Sequence, residues 1–337
     1  MKNQLSIPLL IATLLALSIA SLLCGSVPVP KAEALDILLH GSRPDQRAWS
    51  YIIWEMRVPQ TITAILTGSS LATAGLLLQT LFRNPLAGPS ILGIDSGANL
   101  GVAIVMLLLS GTMTLGGMSI SGYLLVILAA VIGAGAVMLL LIGFSLRIRS
   151  HLMLLITGVM ISYMTSSIIS LLNYSASAQG VQAYLVWGMG NFSSVSTERL
   201  PLFCALCALW LLTAIIHIKP LNALLLGDQY ATNLGYAIRP LRTRLLVITG
   251  LLTATTTAFC GPIAFLGLAV PHLARLTTGT SNHRMLMPAT MLMGAILALA
   301  CSLISNLPSN GTVIPINVIT PCIGAPVVLW IILKRNA

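Results

Sequence analysis

Few residues in this sequence are equipped for chemistry, and their spacing does not gather them. Seven acids, five histidines and six cysteines are spread over 337 residues. Cys204 and Cys207 form a C-x-x-C, a spacing suited to metal binding or thiol exchange. They stand in an apolar run, however, with no second pair and no nearby His-x-x-His. Cys24, Cys260, Cys301 and Cys322 also fall in or at the ends of apolar runs, so all six read as small buried thiols. His40, His151, His217, His272 and His283 lie at or near loop ends and form no ligand pair. Also missing are G-x-x-x-x-G-K-[ST], H-E-x-x-H, the EF-hand pattern and G-x-S-x-G. The chain therefore has no P-loop of its own. No catalytic residue, metal or cofactor is expected.

One polar stretch has a pattern of its own. Within 219–240, an apolar run at 221–226 stops at Gly227, a natural helix C-terminal residue. Asp228 can then cap 229–234, and Gly235 ends that turn. Two short helices are expected here, with a simple structured loop as the alternative. Elsewhere the only acid near an apolar run is Asp95, expected near a helix start where it can act as a cap. Ion-driven carriers keep Asp, Glu, His or Lys inside the bundle, where each charge is costly and held for function. Their scarcity disfavours an ion-coupled secondary transporter and suggests that energy enters through another chain.

The elements that carry these residues are membrane spans. Only 7% of residues are charged and 57% are hydrophobic, with a mean hydropathy of +0.97, whereas a soluble domain carries about 25% charged residues. Apolar runs long enough to cross a bilayer predict ten spans, at 7–27, 58–81, 91–110, 118–144, 152–174, 199–218, 241–260, 262–274, 285–305 and 314–333. The eighth is too short to cross untilted, with Pro262 and Pro271 at its flanks. Such a segment is tolerated only inside protein or beside a water-filled cavity. Gly93, Gly97 and Gly101 make overlapping G-x-x-x-G patterns that permit close helix approach. The first run resembles a signal peptide, with Ala32-Glu33-Ala34 as a formal cleavage site and Leu22-Leu23-Cys24 near a lipoprotein pattern. Its length and the spans that follow make an uncleaved span the preferred reading.

The net charge of +10 does not point to nucleic acid, because the basic residues are scattered between apolar runs. They predict topology instead. With the N-terminus in the cytoplasm, twelve basic residues fall inside and five outside, as the positive-inside rule requires. Ten spans put both termini there. The loop at 28–57 is then external, with Trp49, Tyr51 and Trp54 as an interfacial belt.

Four segments together resemble the permease family of iron–siderophore, haem and vitamin B12 ABC importers. The first runs from Met56-Arg57-Val58-Pro59 to Arg83-Asn84-Pro85-Leu86-Ala87 and Leu92-Gly93-Ile94. The second is Gly227-Asp228, Ala231 and Leu234-Gly235. The third is Gly261-Pro262-Ile263-Ala264-Phe265-Leu266-Gly267-Leu268 with Pro271-His272 and Arg275, and the fourth is Ile323-Gly324-Ala325-Pro326. The resemblance spans about 51–334.

It implies an all-α membrane protein, one transmembrane domain over 1–337 with about ten helices and the fold of the vitamin B12 type II importer permeases. It implies a homodimer in the lipid bilayer, two cytoplasmic ATPase subunits beneath and a substrate-binding protein outside. The cargo would be a siderophore, haem or cobalamin. By resemblance, Leu221, Gly227, Asp228, Ala231, Leu234 and Gly235 belong to coupling helices on the ATPase, with Arg83, Pro271, His272 and Arg275 on the same face. Arg57 matches an arginine that docks the binding protein. Gln60 stands where a second such arginine is usual, and a third falls near Ser305 and Asn306. Ala300-Cys301-Ser302 replaces a usual acid, and Pro315-Ile316-Asn317 replaces Pro-x-Gly. Fewer charges imply a less salt-sensitive encounter with that partner.

Overall fold

Apolar runs in a chain with this little charge must satisfy their backbone internally, and helices do so within one segment. A computed structural model describes residues 6–41, 47–108, 113–115, 118–120, 122–148, 150–307 and 313–336. It is helical save for one hairpin of three-residue strands, β1 (Met113–Leu115) and β2 (Met118–Ile120). In chain order the helices begin with α1 (Ser6–Leu23), α2 (Lys31–His40), α3 (Arg47–Tyr51) and α4 (Val58–Phe82). Next come α5 (Ile94–Ala103), α6 (Gly122–Arg147), α7 (His151–Ser175), α8 (Ala178–Gly188) and α9 (Leu200–Ile216). The remainder are α10 (Ile218–Leu225), α11 (Asp228–Asn233), α12 (Ile238–Cys260), α13 (Leu266–Thr278), α14 (His283–Ser305) and α15 (Ile316–Asn336).

Among the described residues five helices are long and apolar enough to cross a bilayer, and α9 with α10, bent by 50°, make a sixth if they count as one span. The shorter apolar helices at 7–23, 94–108 and 316–329, together with α13, complete the ten predicted members. Several boundaries differ from expectation. The segment 47–57 is helical rather than loop, running through a π-helical turn (Ile52–Arg57) straight into α4. Residues 118–120 pair in the hairpin instead of opening α6, and Ser110, the expected end of the third span, lies outside the described residues. The eighth span starts late, because 261–265 is not helical and α13 begins at Leu266. Helix α8 was not expected at all.

Helix α4 is the axis of the bundle. It is buried at every position from Thr67 to Phe82, and a Cβ on Gly75 would stand 1.7 Å from the Gly267 carbonyl oxygen of α13. Only glycine lets those two backbones meet. The G-x-x-x-G expectation holds in the same way. Cβ atoms on Gly97 and Gly101 would collide with the Gly133 and Ala129 carbonyls of α6. That contact also sets depth. Gly133 lies near the middle of α6, so α5 begins halfway through the bundle and residues 84–93 reach it as mostly irregular backbone. Asp95 therefore sits at mid-depth rather than near the end of a span. By contrast, α7 is only 28% buried against 83% for the α4 span, which leaves its apolar face to lipid or another chain.

Candidate functional site

The second half of α4 points its polar residues at one end of the bundle, and the sequence motifs converge there. Arg83 closes the helix in the left-handed conformation (φ 46°). Its guanidinium forms an ion pair with Asp228. One turn earlier, Gln79 donates through Nε2 to the Leu268 carbonyl (3.0 Å) and accepts from Arg275 Nη1 (2.8 Å). His272 Nε2 lies 2.8 Å from the Pro85 carbonyl; a carbonyl only accepts, so this nitrogen carries the proton. Pro271 is buried inside α13 just before it. Thus Arg83, Asp228, His272 and Arg275 surround a single helix end.

The two short helices at 218–233 are bolted to the same end. Asn222 on α10 accepts from the His283 backbone N–H (2.8 Å), faces His283 Nδ1 (2.9 Å) and donates to Asn282 (2.9 Å). His283 Nε2 in turn meets Thr80 Oγ1 on α4 at 2.9 Å. Gly227 separates the helices at φ 118°, a conformation closed to residues with a side chain without strain. The expected cap is corrected: Gly227 holds the cap position and Asp228 is the first residue of α11. The carboxylate reaches Arg83 instead.

Burial divides the expected coupling residues into two sets. Leu221 and Ala231 are fully buried and anchor their helices, while Leu234 and Gly235 are exposed. Leu225, Leu226 and Tyr230 join Leu234 in facing outward, at 40%, 66%, 47% and 56% exposure. The result is an apolar patch on rigidly held helices.

The opposite end behaves differently. Arg57 is 4% exposed. Its guanidinium donates to the carbonyls of Leu22 (2.8 Å), Leu23 (3.0 Å) and Val27 (2.7 Å). Leu22 and Leu23 stand at the end of α1, where carbonyls go unpaired, and Val27 in the segment just beyond it, so Arg57, expected as a docking charge, is buried as a brace between them. Gln60 donates to Ser302 Oγ at 3.3 Å. Two departures from the family pattern therefore touch, and a neutral hydrogen bond stands where an arginine and an acid are usual.

The sequence reading missed Gln79, Asn222 and His283, which tie the two short helices to α4, and Asn317. Asn317 donates to the carbonyls of Gly188 (2.9 Å) and Pro262 (2.6 Å) and accepts from Ala264 N–H (3.0 Å). It fastens α8 and the irregular 261–265 segment to α15. The usable signals were Asn282 before an apolar run and Ser177 before α8, both of which cap their helices.

The model of the FecCD transport family matches residues 13–334. The chain belongs to that family. Among curated proteins it is similar to the vitamin B12 import system permease BtuC of Klebsiella pneumoniae, 35% identical over 284 residues, and of Salmonella arizonae, 34% identical over 290 residues. Each match covers 84% of this chain and 83% of the relative. Among solved structures, an inward-facing one assigned to the metal-chelate type of ABC transporter superposes with a TM-score of 0.83 at 28% identity. It covers 98% of this chain and 99% of that one. This FecCD-family chain is thus a multi-pass inner-membrane permease of the ABC importer type, a transporter component rather than an enzyme.

Proposed function

We propose that this permease imports a metal chelate, with cobalamin the first candidate, and works as a homodimer driven by two ATPase subunits docked on α10 and α11. The observation that carries the reading is the exposed Leu225, Leu226, Tyr230 and Leu234 patch on helices tied to α4 and α14. An apolar patch of this kind calls for a protein partner, and a rigid mount lets force on it reach the core. The pathway runs between the two copies, where the sparsely buried α7 leaves an apolar face available. A substrate-binding protein docks at the Arg57 end.

The orientation follows from charge. Arg83, Arg147, Lys219, Arg239, Arg242, Arg275 and Arg284 belong to the end that carries α10 and α11, which is therefore cytoplasmic together with both termini. The cargo class draws on the relatives named for vitamin B12 import and on the metal-chelate transporter structure. The residues described contain no group of three or more His, Cys, Asp or Glu that could hold a metal, which fits a cargo that crosses with its chelator intact.

Proteoliposomes test the proposal directly. The chain is reconstituted with its ATPase and binding protein, and uptake of cobalamin, a ferric siderophore and haem is compared. ATP-dependent uptake of one of them is the expected result. Uptake driven by an ion gradient with no ATPase present would overturn it.

A further inference from the structure

A strained turn inside the bundle is held by one side chain. Residues 261–265 join α12 to α13, with Gly261 at φ 74° and Phe265 at φ 68°, ψ −26°. Leu266 N–H donates across Phe265 to the Ala264 carbonyl at 2.9 Å, closing a γ-turn of the positive-φ kind, which is rare and strained. A bulky aromatic stays in that region only where its surroundings over-determine it. Helix α15 supplies them. A Cβ on Gly324 would stand 2.8 Å from Phe265 Cβ, so the backbone of α15 lies against the turn. Asn317 Oδ1 accepts from Ala264 N–H (3.0 Å), and Nδ2 donates to the Pro262 carbonyl (2.6 Å). The same Nδ2 donates to Gly188, the last residue of α8 (2.9 Å), and Asn317 N–H donates to the Met189 carbonyl (3.1 Å). No residue of α8 is buried. Its first turn rests on main chain at Met106, and hollows of about 550 and 520 Å³ lie against its Gln179, Ala183 and Trp187 side. Packing holds α8 weakly, so the bonds at its C-terminal end carry more of the restraint.

We propose that Asn317 is a positioning residue of transport, clamping the strained turn to α8 so that movement of α13 at the coupling end is passed on to α8, a role that rests on the proposed docking of ATPase subunits at α10 and α11. The path is short. Helix α13 has thirteen residues, about 20 Å of rise, with the turn at its start and His272 and Arg275 toward its end. Those two are bonded to the Pro85 carbonyl and to Gln79 beside Arg83. A displacement there pulls on a turn that has a relaxed alternative, the two-state element that such coupling requires. The Asn317 amide joins the turn itself to α8. Asn191 N–H, which meets the Cys260 carbonyl at 2.8 Å, ties the chain after α8 to the end of α12 instead.

Two readouts separate the clamp from the importer reading. In the permease alone in nanodiscs, hydrogen exchange reads how firmly each segment is held. Asn317→Ala should speed exchange several-fold in α8 and at 264–266, with α4 and α14 unchanged. Asn317→Asp keeps the shape but turns an oxygen toward two carbonyls, so it should speed exchange more than Asn317→Ala. A side chain that merely fills space would leave Asn317→Asp near the wild type. Should that variant fail to fold, Asn317→Leu, of similar volume without polar atoms, should behave as Asn317→Ala does. With the ATPase and binding protein added, spin labels on exposed Gln182 of α8 and Leu202 of α9 read the distance between those helices. ATP should shift that distance in the wild type. Asn317→Ala should still hydrolyse ATP, with most of the shift lost and uptake per ATP several-fold lower. Wild-type exchange in the variants overturns the proposal, and so does a full ATP-driven shift in Asn317→Ala. A wild type without ATP-driven uptake overturns the importer reading and the transmission with it, whereas raised exchange would still show the clamp.

Discussion

The two arginines that bracket α4 are put to opposite uses. Arg57 is buried and its guanidinium serves three main-chain carbonyls at and just beyond the end of α1, so it acts as part of the frame. Arg83 is 44% exposed and pairs with an acid on a separate short helix, so it acts as a contact between parts. A charged donor removed from buried acceptors leaves them unsatisfied, whereas an exposed ion pair is screened by water. The difference teaches that an arginine beside a span carries no fixed role. Depth and the nearest acceptor decide it.

The largest expected effect lies at the framing arginine. Arg57→Ala strands the carbonyls of Leu22, Leu23 and Val27 and should cost about 3 kcal/mol, since charged hydrogen bonds are worth ~1.5–3 kcal/mol each without adding fully. A thermal unfolding midpoint in nanodiscs measures it. Arg57→Lys should restore little, because one ammonium cannot span three carbonyls. If Arg57→Ala keeps its stability and loses only affinity for the binding protein, the docking role returns and the comparison fails.

A second expected effect is smaller and concerns the neutral pair beside it. Gln60→Arg places a charge against Ser302 without a counter-ion and should destabilise by about 2 kcal/mol. Adding Ser302→Glu should recover most of that, with a coupling energy of about 1–3 kcal/mol in the double-mutant cycle. Additive effects would mean that the two positions do not communicate.

Much of the fold was legible because hydropathy and charge are written along the chain. The ten apolar segments, the close helix contacts of Gly97 and Gly101, and the two short helices around Gly227 all follow from local residue type. What escaped depends on partners distant in sequence. Asp228 looked like a cap because Asp beside glycine usually is one, yet Arg83, which is 145 residues away, takes its carboxylate. Asp95 looked peripheral because the sequence does not reveal that 84–93 enters the bundle before α5 starts. Helix α8 was missed because its residues are almost all partly or fully exposed, so no buried face imposes a period on them. Arg57 shows the limit of resemblance: a matched residue type does not carry its exposure with it.

The coupling end should show the reverse pattern, with function lost while stability holds. Gly227→Val forces a side chain into φ 118° at a cost of about 1–3 kcal/mol. That strain falls on two helices anchored by buried Leu221 and Ala231, so the unfolding midpoint should fall less than in Arg57→Ala, while insertion holds and uptake per ATP drops sharply. The smallest change in stability belongs to the ion pair itself. Arg83→Ala should cost under about 1 kcal/mol, less at high salt, because both partners are exposed. ATP hydrolysis should continue with uptake reduced, and the exchange Arg83→Asp with Asp228→Arg should recover part of it. An unfolding midpoint that falls as far as in Arg57→Ala would make Arg83 a framing residue too. The two ends of α4 would then differ in exposure alone and not in what their arginines do.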